Sequence, residues 1–401
     1  MKILQICNKA PYPPNDGSSI AIYNMSLGLI SQNIDLHIFT LNTKKHYKSN
    51  DLIPEDYRKK TNYVSFDIDT NPTFFGALRT LFTQKSYFIT RFHNVNFETK
   101  LSAVLGEEKF DIVQLEGLFM CSYIPLIKKL SKAKIVLRAH NVEHLIWERH
   151  IMQTGSFLKK MYLKFESKKL KITELKAFSL VDAIIPITPK DSYFIKQLCD
   201  TPTHTALTGT NIADYDIKKS ADFDHLSLFH FGSMDWIPNQ EAVDWFLAKC
   251  WEKIKCEVPN VKFIIAGRNI PNRYRQLNDS SIVIEENVPK SSDVYQKYNI
   301  MVVPVLSGSG LRIKIVEGLC FGKAIVSTDI GAEGIDCTSE KDILLATNEE
   351  EFSTAVINLL KDTNKRELIE YNARNFAIDH LNNEPIAEKL VAFYKNLISQ
   401  V

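Results

Sequence analysis

Short, nearly unbroken apolar runs alternate along the chain with longer stretches in which apolar residues recur every third or fourth position. A β-branched apolar run bounded by turn residues is the pattern of a strand buried on both faces of a parallel sheet, and the periodic stretches are the pattern of the helices that cover it. In the first half the runs predict strands over Lys2–Asn8, Leu36–Leu41, Phe110–Glu116, Ala133–Ala139, Asp182–Thr188 and Thr205–Leu207. Helices are predicted between them, including one from Ile20 to Gln32 and one over Phe157–Phe178. The pattern then restarts after a crossing at Thr208–Asn211. Strands are predicted over Ser227–Phe231, Val261–Ala266, Ile282–Glu285, Met301–Leu306 and Asp342–Ala346, followed by helices over Glu349–Leu360 and Arg366–Tyr394, the second broken near Asn382–Pro385. Two strand–helix alternations in series predict an α/β protein of two doubly wound, Rossmann-like domains. The expected division is 1–205, then 206–380, with 381–401 a C-terminal helix packing back towards the first domain.

Length agrees with that division, since 401 residues with 45% hydrophobic content are too many for a single core. No apolar run reaches the ~18 residues that span a bilayer, and a cytoplasmic protein is expected. The seven cysteines contain no CxxC pair, and the closest two, Cys250 and Cys256, have no flanking histidines. Reduced thiols are therefore expected rather than a disulfide framework or a zinc site. Charge is unevenly spread: residues 1–205 hold 28 Lys+Arg against 19 Asp+Glu, the rest 21 against 28, giving halves of +9 and −7. A basic first half fits an anionic partner, either a phosphorylated acceptor or a membrane surface. No nucleic acid partner is expected.

Candidate chemistry concentrates between Ile300 and Gly334. The turn Ser307-Gly308-Ser309-Gly310 precedes a helix, where free backbone N–H groups can close around an anion. Arg312 and Lys314 place positive charge in the first turn, where the helix dipole favours acids, so a bound polyanion is expected to offset them. Glu317, one turn beyond Ile313, can accept two hydroxyl hydrogen bonds and suits a sugar or ribose diol. The alternative is an ordinary βαβ unit with solvated cations. Gly17-Ser18, ahead of the first helix, is a second anion loop; its spacing is not GxGxxG and no acid follows the Leu36–Leu41 strand, which disfavours a dinucleotide. His140 follows the Ala133–Ala139 strand, where open sheets place ligands, and can bond a substrate hydroxyl, while Glu143 reads as a helix-start acid. Asp67-Ile68-Asp69 is a DxD match that strand alternation also explains, and no metal is expected. The Phe157–Phe178 segment sets seven lysines against an apolar stripe, and 74–92 interleaves aromatics with Arg79, Lys85 and Arg91. Both fit either a membrane interface or core helices with solvated cations.

The runs GSGLRIKIVEGLCFGKAIVST with GAEG after it, FGSMDWIPNQEAVDWF and RAHNVEHLIWER together resemble a bacterial branch of glycosyltransferase family 4. The resemblance covers nearly the whole chain. It implies the GT-B fold, two Rossmann-like domains facing across a cleft, with a nucleotide-diphosphate sugar as co-substrate, no cofactor or metal, and retention at the anomeric carbon. Glu317 matches the later glutamate of the family's E-x7-E motif and is expected on the ribose; Ser309 stands where the earlier glutamate would be. The Arg and Lys usual after the first strand of the second domain are missing from GSMDWIPN, so Arg312 and Lys314 are expected to meet the diphosphate. Gly17, with Ser18, matches the N-terminal loop, and His140 matches a histidine near the donor sugar. Gly232, Ser233, Gly310 and Leu311 complete the expected donor site. The implied acceptor is a glycan or lipid-linked sugar in cell-surface polysaccharide synthesis, with the enzyme cytoplasmic or peripheral at the inner face of the membrane. A GT-B epimerase or hydrolase would share the donor clamp without a second substrate, and a nonenzymatic nucleotide-sugar sensor would tolerate the serine at 309.

Overall fold

The structure is a computed structural model. It describes every residue except 15–16, 45–46, 48, 72, 74–75, 77–79, 81–82, 84–85, 154–156, 218–225, 308–310 and 401, and only the backbone of 149–150, 152–153 and 158–159. Two compact units result: Met1–Thr210 with Asn383–Val401, and Asn211–Asn382.

The first unit is built on six parallel strands: β1 (Lys2–Cys7), β2 (Asp35–Thr43), β3 (Val64–Ile68), β4 (Ile112–Glu116), β5 (Lys134–Ala139) and β6 (Ala183–Pro186). They lie in the order β3-β2-β1-β4-β5-β6. Alternation along β1 sends Leu4 and Ile6 into one core with Phe97, Leu170 and Phe178, and Ile3 and Cys7 into another on the opposite face. That second face is covered by helix α1 (Gly17–Ser31) and by the C-terminal helix, here α6 (Asn383–Ser399). Gly28 permits the contact between them, since a Cβ there would sit 2.9 Å from Ala387 Cβ. Two further helices, α2 (Glu143–Gln153) and α3 (Phe157–Leu180), follow β5 and pack on each other.

The second unit repeats the plan with β7 (Ser227–Ser233), β8 (Lys262–Arg268), β9 (Ile282–Glu286), β10 (Ile300–Val303), β11 (Ala324–Ser327) and β12 (Leu344–Leu345), ordered β12-β11-β10-β7-β8-β9. Helix α4 (Ile237–Phe246) follows β7, and α5 (Ile313–Cys320) lies between β10 and β11. In both sheets the first strand is flanked by later ones on both sides, so the winding reverses beside it. Ligands of open α/β sheets bind beyond the carboxyl ends of the strands at that reversal.

Two expected strands are corrected. Residues 205–207 form no regular strand; the chain instead runs beside β6 from Pro202 to Ala206, with bonds from the Ile184 amide to the Pro202 carbonyl, the His204 amide to the Ile184 carbonyl and the Ala206 amide to the Pro186 carbonyl, and the pairing ends there because Pro186 has no N–H to continue it. The strand expected to reach Leu306 stops at Val303, where Pro304 has no N–H to donate. Helix α1 begins at Gly17, a turn earlier than the apolar periodicity implies.

Candidate functional site

In the first unit a polar ladder crosses an otherwise apolar sheet. Gln5 pairs in register with Gln114, and Glu116 with Arg138, so all four side chains project from one face, fully buried. Glu116 is the hub. Its Oε1 accepts from Gln5 Nε2 at 2.6 Å and Gln114 Nε2 at 2.5 Å, and its Oε2 lies 2.6 Å from His140 Nε2 and 3.4 Å from Arg138 Nη1. Burial by itself would raise its pKa, but the Arg138 charge and the bond from His140 outweigh it and hold the carboxyl at about 2. An ionised carboxylate only accepts, so His140 Nε2 carries hydrogen and donates to it. His140 Nδ1 then faces Ser18 Oγ at 3.0 Å. Gly17 and Ser18, at the start of α1, and His140, just past β5, are thus brought to the carboxyl end of the sheet, with Glu116 fixing the ring. Arg138 also donates to the Ala21 carbonyl at 3.0 Å, and Tyr394 of α6 to Gln114 Oε1 at 2.7 Å, so both covering helices are tied to the ladder. Glu143 opens α2; burial first, and the neighbouring Glu174, push it up to about 7. Glu174 accepts from the Glu143 and His144 amides at 2.8 and 3.1 Å.

In the second unit the candidates gather where β7 ends. Lys314, in the first turn of α5, carries its ammonium back to β7, and a Cβ on Gly232 would lie only 2.8 Å from Nζ. Asn239 Oδ1 accepts from Nζ at 2.7 Å, while Asn239 Nδ2 donates to the Ser233 carbonyl at the same distance. The other neighbour is the fully buried His230, whose Nε2 is 3.3 Å away. His230 Nδ1 lies 3.0 Å from the Val302 carbonyl, which can only accept, so Nδ1 carries the hydrogen and Nε2 presents its lone pair to the lysine. Burial, then Lys314, keep His230 well below its ordinary pKa and therefore neutral. Lys314 is itself pushed down to about 7, by burial and then by Arg312. Among the described residues no carboxylate balances it.

Arg312 precedes α5, is buried, and holds its guanidinium 5.0 Å from the Trp236 ring centroid. Leu311 adjoins it; Ser309 and Gly310 lie outside the described residues. Glu317 Oε1 accepts from Ser291 Oγ at 3.0 Å, and its Oε2 is 3.3 Å from the Tyr295 hydroxyl, which also bonds the Lys314 carbonyl at 2.9 Å. Burial raises its pKa against those two bonds. Of the DxD pair, Asp67 accepts from Asn42 Nδ2 at 2.9 Å and Asp69 from the Asn71 amide at 2.9 Å.

Sequence reasoning missed Glu116, His230, Asn239 and Trp236. A signal was present for two: Glu116 and His230 are polar residues inside apolar strand runs, where burial demands a partner.

Residues 225–362 match the family model described as Glycosyl transferases group 1. An uncharacterized 44.6 kDa protein in the cps region of Klebsiella pneumoniae is 22% identical over 396 residues, covering 96% of this chain and 97% of that protein. The uncharacterized glycosyltransferase MJ1069 of Methanocaldococcus jannaschii is 27% identical over 114 residues, 28% of each chain. Among solved structures, sucrose-phosphate synthase from Thermosynechococcus elongatus superposes with a TM-score of 0.71 at 14% identity over the whole of both chains. Anabaena HepE in complex with UDP-glucose gives 0.63 at 13% identity, covering 99% of this chain and 100% of that one. The two six-stranded parallel sheets are thus those of the GT-B fold, and the matches support a GT-B glycosyltransferase.

Proposed function

We propose that this chain transfers a sugar from a nucleotide-diphosphate donor to a glycan or lipid-linked acceptor, with retention and without a metal, in cell-surface polysaccharide synthesis on the cytoplasmic side of a membrane. The observation that carries the reading is the Lys314 ammonium at the end of β7, buried against neutral His230 and Asn239, with the Arg312 charge near it and, among the described residues, no carboxylate to balance it. A buried cation without a counterion is costly, and an anionic ligand at that point relieves the cost. Loss of a nucleotide diphosphate develops negative charge on the leaving phosphate, and preorganised cations aimed there are usually the largest rate term. Lys314 and Arg312 fill that role in this reading. Glu317 takes a ribose or sugar diol, exchanging its bonds to Ser291 and Tyr295 for hydroxyls of the donor. Within the first unit, Gly17, Ser18 and His140 offer a polar surface suited to sugar hydroxyls, with Glu116 holding His140 as a hydrogen-bonding group of fixed orientation. The UDP-glucose bound by HepE and the cps-region setting of the Klebsiella relative favour the same donor class and pathway.

The test is a panel of nucleotide sugars incubated with and without lipid extract or oligosaccharide. Acceptor-dependent nucleotide release is the expected result. Acceptor-independent sugar release or isomerisation would favour a hydrolase or epimerase, and binding alone a sensor. Arg312→Ala and Lys314→Ala are each expected to lower turnover about 10²- to 10³-fold; folded variants with unchanged turnover would remove both from the site.

A further inference from the structure

Helix α3 is apolar on two sides, and only one of them is used by the core. Leu163, Leu170, Ala177 and Phe178 are buried, with Glu166, Ser167, Lys169 and Glu174 beside them on the inward face. On the outward face stand Phe157, Met161, Phe165 and Ile172, exposed by 73%, 56%, 43% and 59%. At about 3.6 residues per turn, their spacing places all four within an arc of roughly 80°. Lys168 falls inside that arc, Lys164 and Lys171 along one border and Lys176 along the other, and all four lysines are exposed.

Scattered single exposed apolar residues are ordinary, but a continuous stripe of large ones on one helix is not. Water would leave such a stripe better covered, and the lysines choose the cover. An apolar stripe edged with cations complements a surface that offers hydrocarbon just beneath a layer of negative charge. Lys171 lies 3.8 Å from Glu148, the one ion pair of the four among the described residues.

We propose that this face of α3 is a docking surface for an anionic lipid bilayer, with Phe157, Met161, Phe165 and Ile172 entering the headgroup boundary and Lys164, Lys168, Lys171 and Lys176 lying on lipid phosphates. The proposal deepens the transfer reading by giving a lipid-linked acceptor a surface to be presented on. It does not depend on donor chemistry, and its test uses no nucleotide sugar.

The full-length chain is sedimented with vesicles of phosphatidylcholine alone and of phosphatidylcholine with phosphatidylglycerol, over a salt series, beside two variants. One changes Phe157, Met161, Phe165 and Ile172 to serine; the other changes Lys164, Lys168, Lys171 and Lys176 to glutamine. Wild type is expected to bind the anionic vesicles at least tenfold more tightly than the neutral ones, with affinity falling as salt rises. The serine variant is expected to lose at least tenfold at every salt concentration, and the glutamine variant to lose the salt dependence. Unchanged thermal unfolding confirms that each variant is folded. Equal, salt-insensitive binding of wild type and both variants overturns the proposal. So does a lipid-free result in which wild type self-associates and the serine variant is monomeric, because the face would then belong to a second copy of the chain.

Discussion

At the scale of single residues the second-unit site turns on one proton. The Lys314 pKa is held at about 7 in the folded chain against 10.5 for the free side chain. Between those values the unfolded chain binds the proton and the folded chain does not, so stability rises with pH across that window. Below pH 7 both forms are protonated and the full cost of the buried charge is present. Melting temperature in the absence of donor is therefore expected to climb from pH 7 towards pH 10, and Lys314→Met to flatten the climb. Donor binding runs the other way, weakening as pH rises through 7 and the ammonium is lost, which calorimetry with UDP reads directly. Glu116 behaves as the mirror image: its depressed carboxyl stabilises above its unfolded value of 4.5 and loses that contribution as pH falls towards 2. Glu116→Gln leaves the buried Arg138 charge unbalanced and is expected to cost about 3–5 kcal/mol in urea unfolding. Lys314 and His140 were legible in the sequence as candidates because they stand at helix and strand ends. Their partners were not: His230 lies 84 residues from Lys314 and Glu116 lies 24 from His140, and only the sheet order makes them neighbours.

At the scale of elements, the strands were readable wherever a doubly buried strand writes a mainly apolar run, unbroken in β8 and β10 and interrupted only by the ladder residues in β1, β4 and β5. The α1–α6 contact was not, because it depends on Gly28, a position with no apolar signal. Filling that gap is expected to separate the helices: Gly28→Val should destabilise by about 1–3 kcal/mol through overpacking, seen as a lower urea midpoint with an unchanged slope. An unaltered midpoint would mean that α6 shifts without loss. Because Tyr394 of α6 bonds Gln114, which bonds Glu116, the same variant is expected to loosen the His140 environment, visible as a changed imidazole resonance in NMR.

At the scale of the whole molecule, the +9 and −7 halves place the basic charge with the first unit and the acidic excess with the second, so Lys314 and Arg312 belong to the unit with the acidic excess. No described helix is long and apolar enough to cross a membrane. The path of the chain also has a consequence. The Thr210 carbonyl accepts the Asn383 amide at 2.9 Å, so the backbone leaves the first unit and re-enters it at a single point. In genetic terms residues 211–382 are an insert, bracketed by adjacent splice sites in a self-contained host. Deleting them and joining Thr210 to Asn383 through a few glycines is expected to leave a host that melts cooperatively, and the excised insert to retain affinity for UDP. If either half fails to fold alone, the splice point is not a module boundary. If both succeed, the insert is a transplantable nucleotide-binding cassette, open to exchange with that of another chain while the host keeps its own polar ladder and His140.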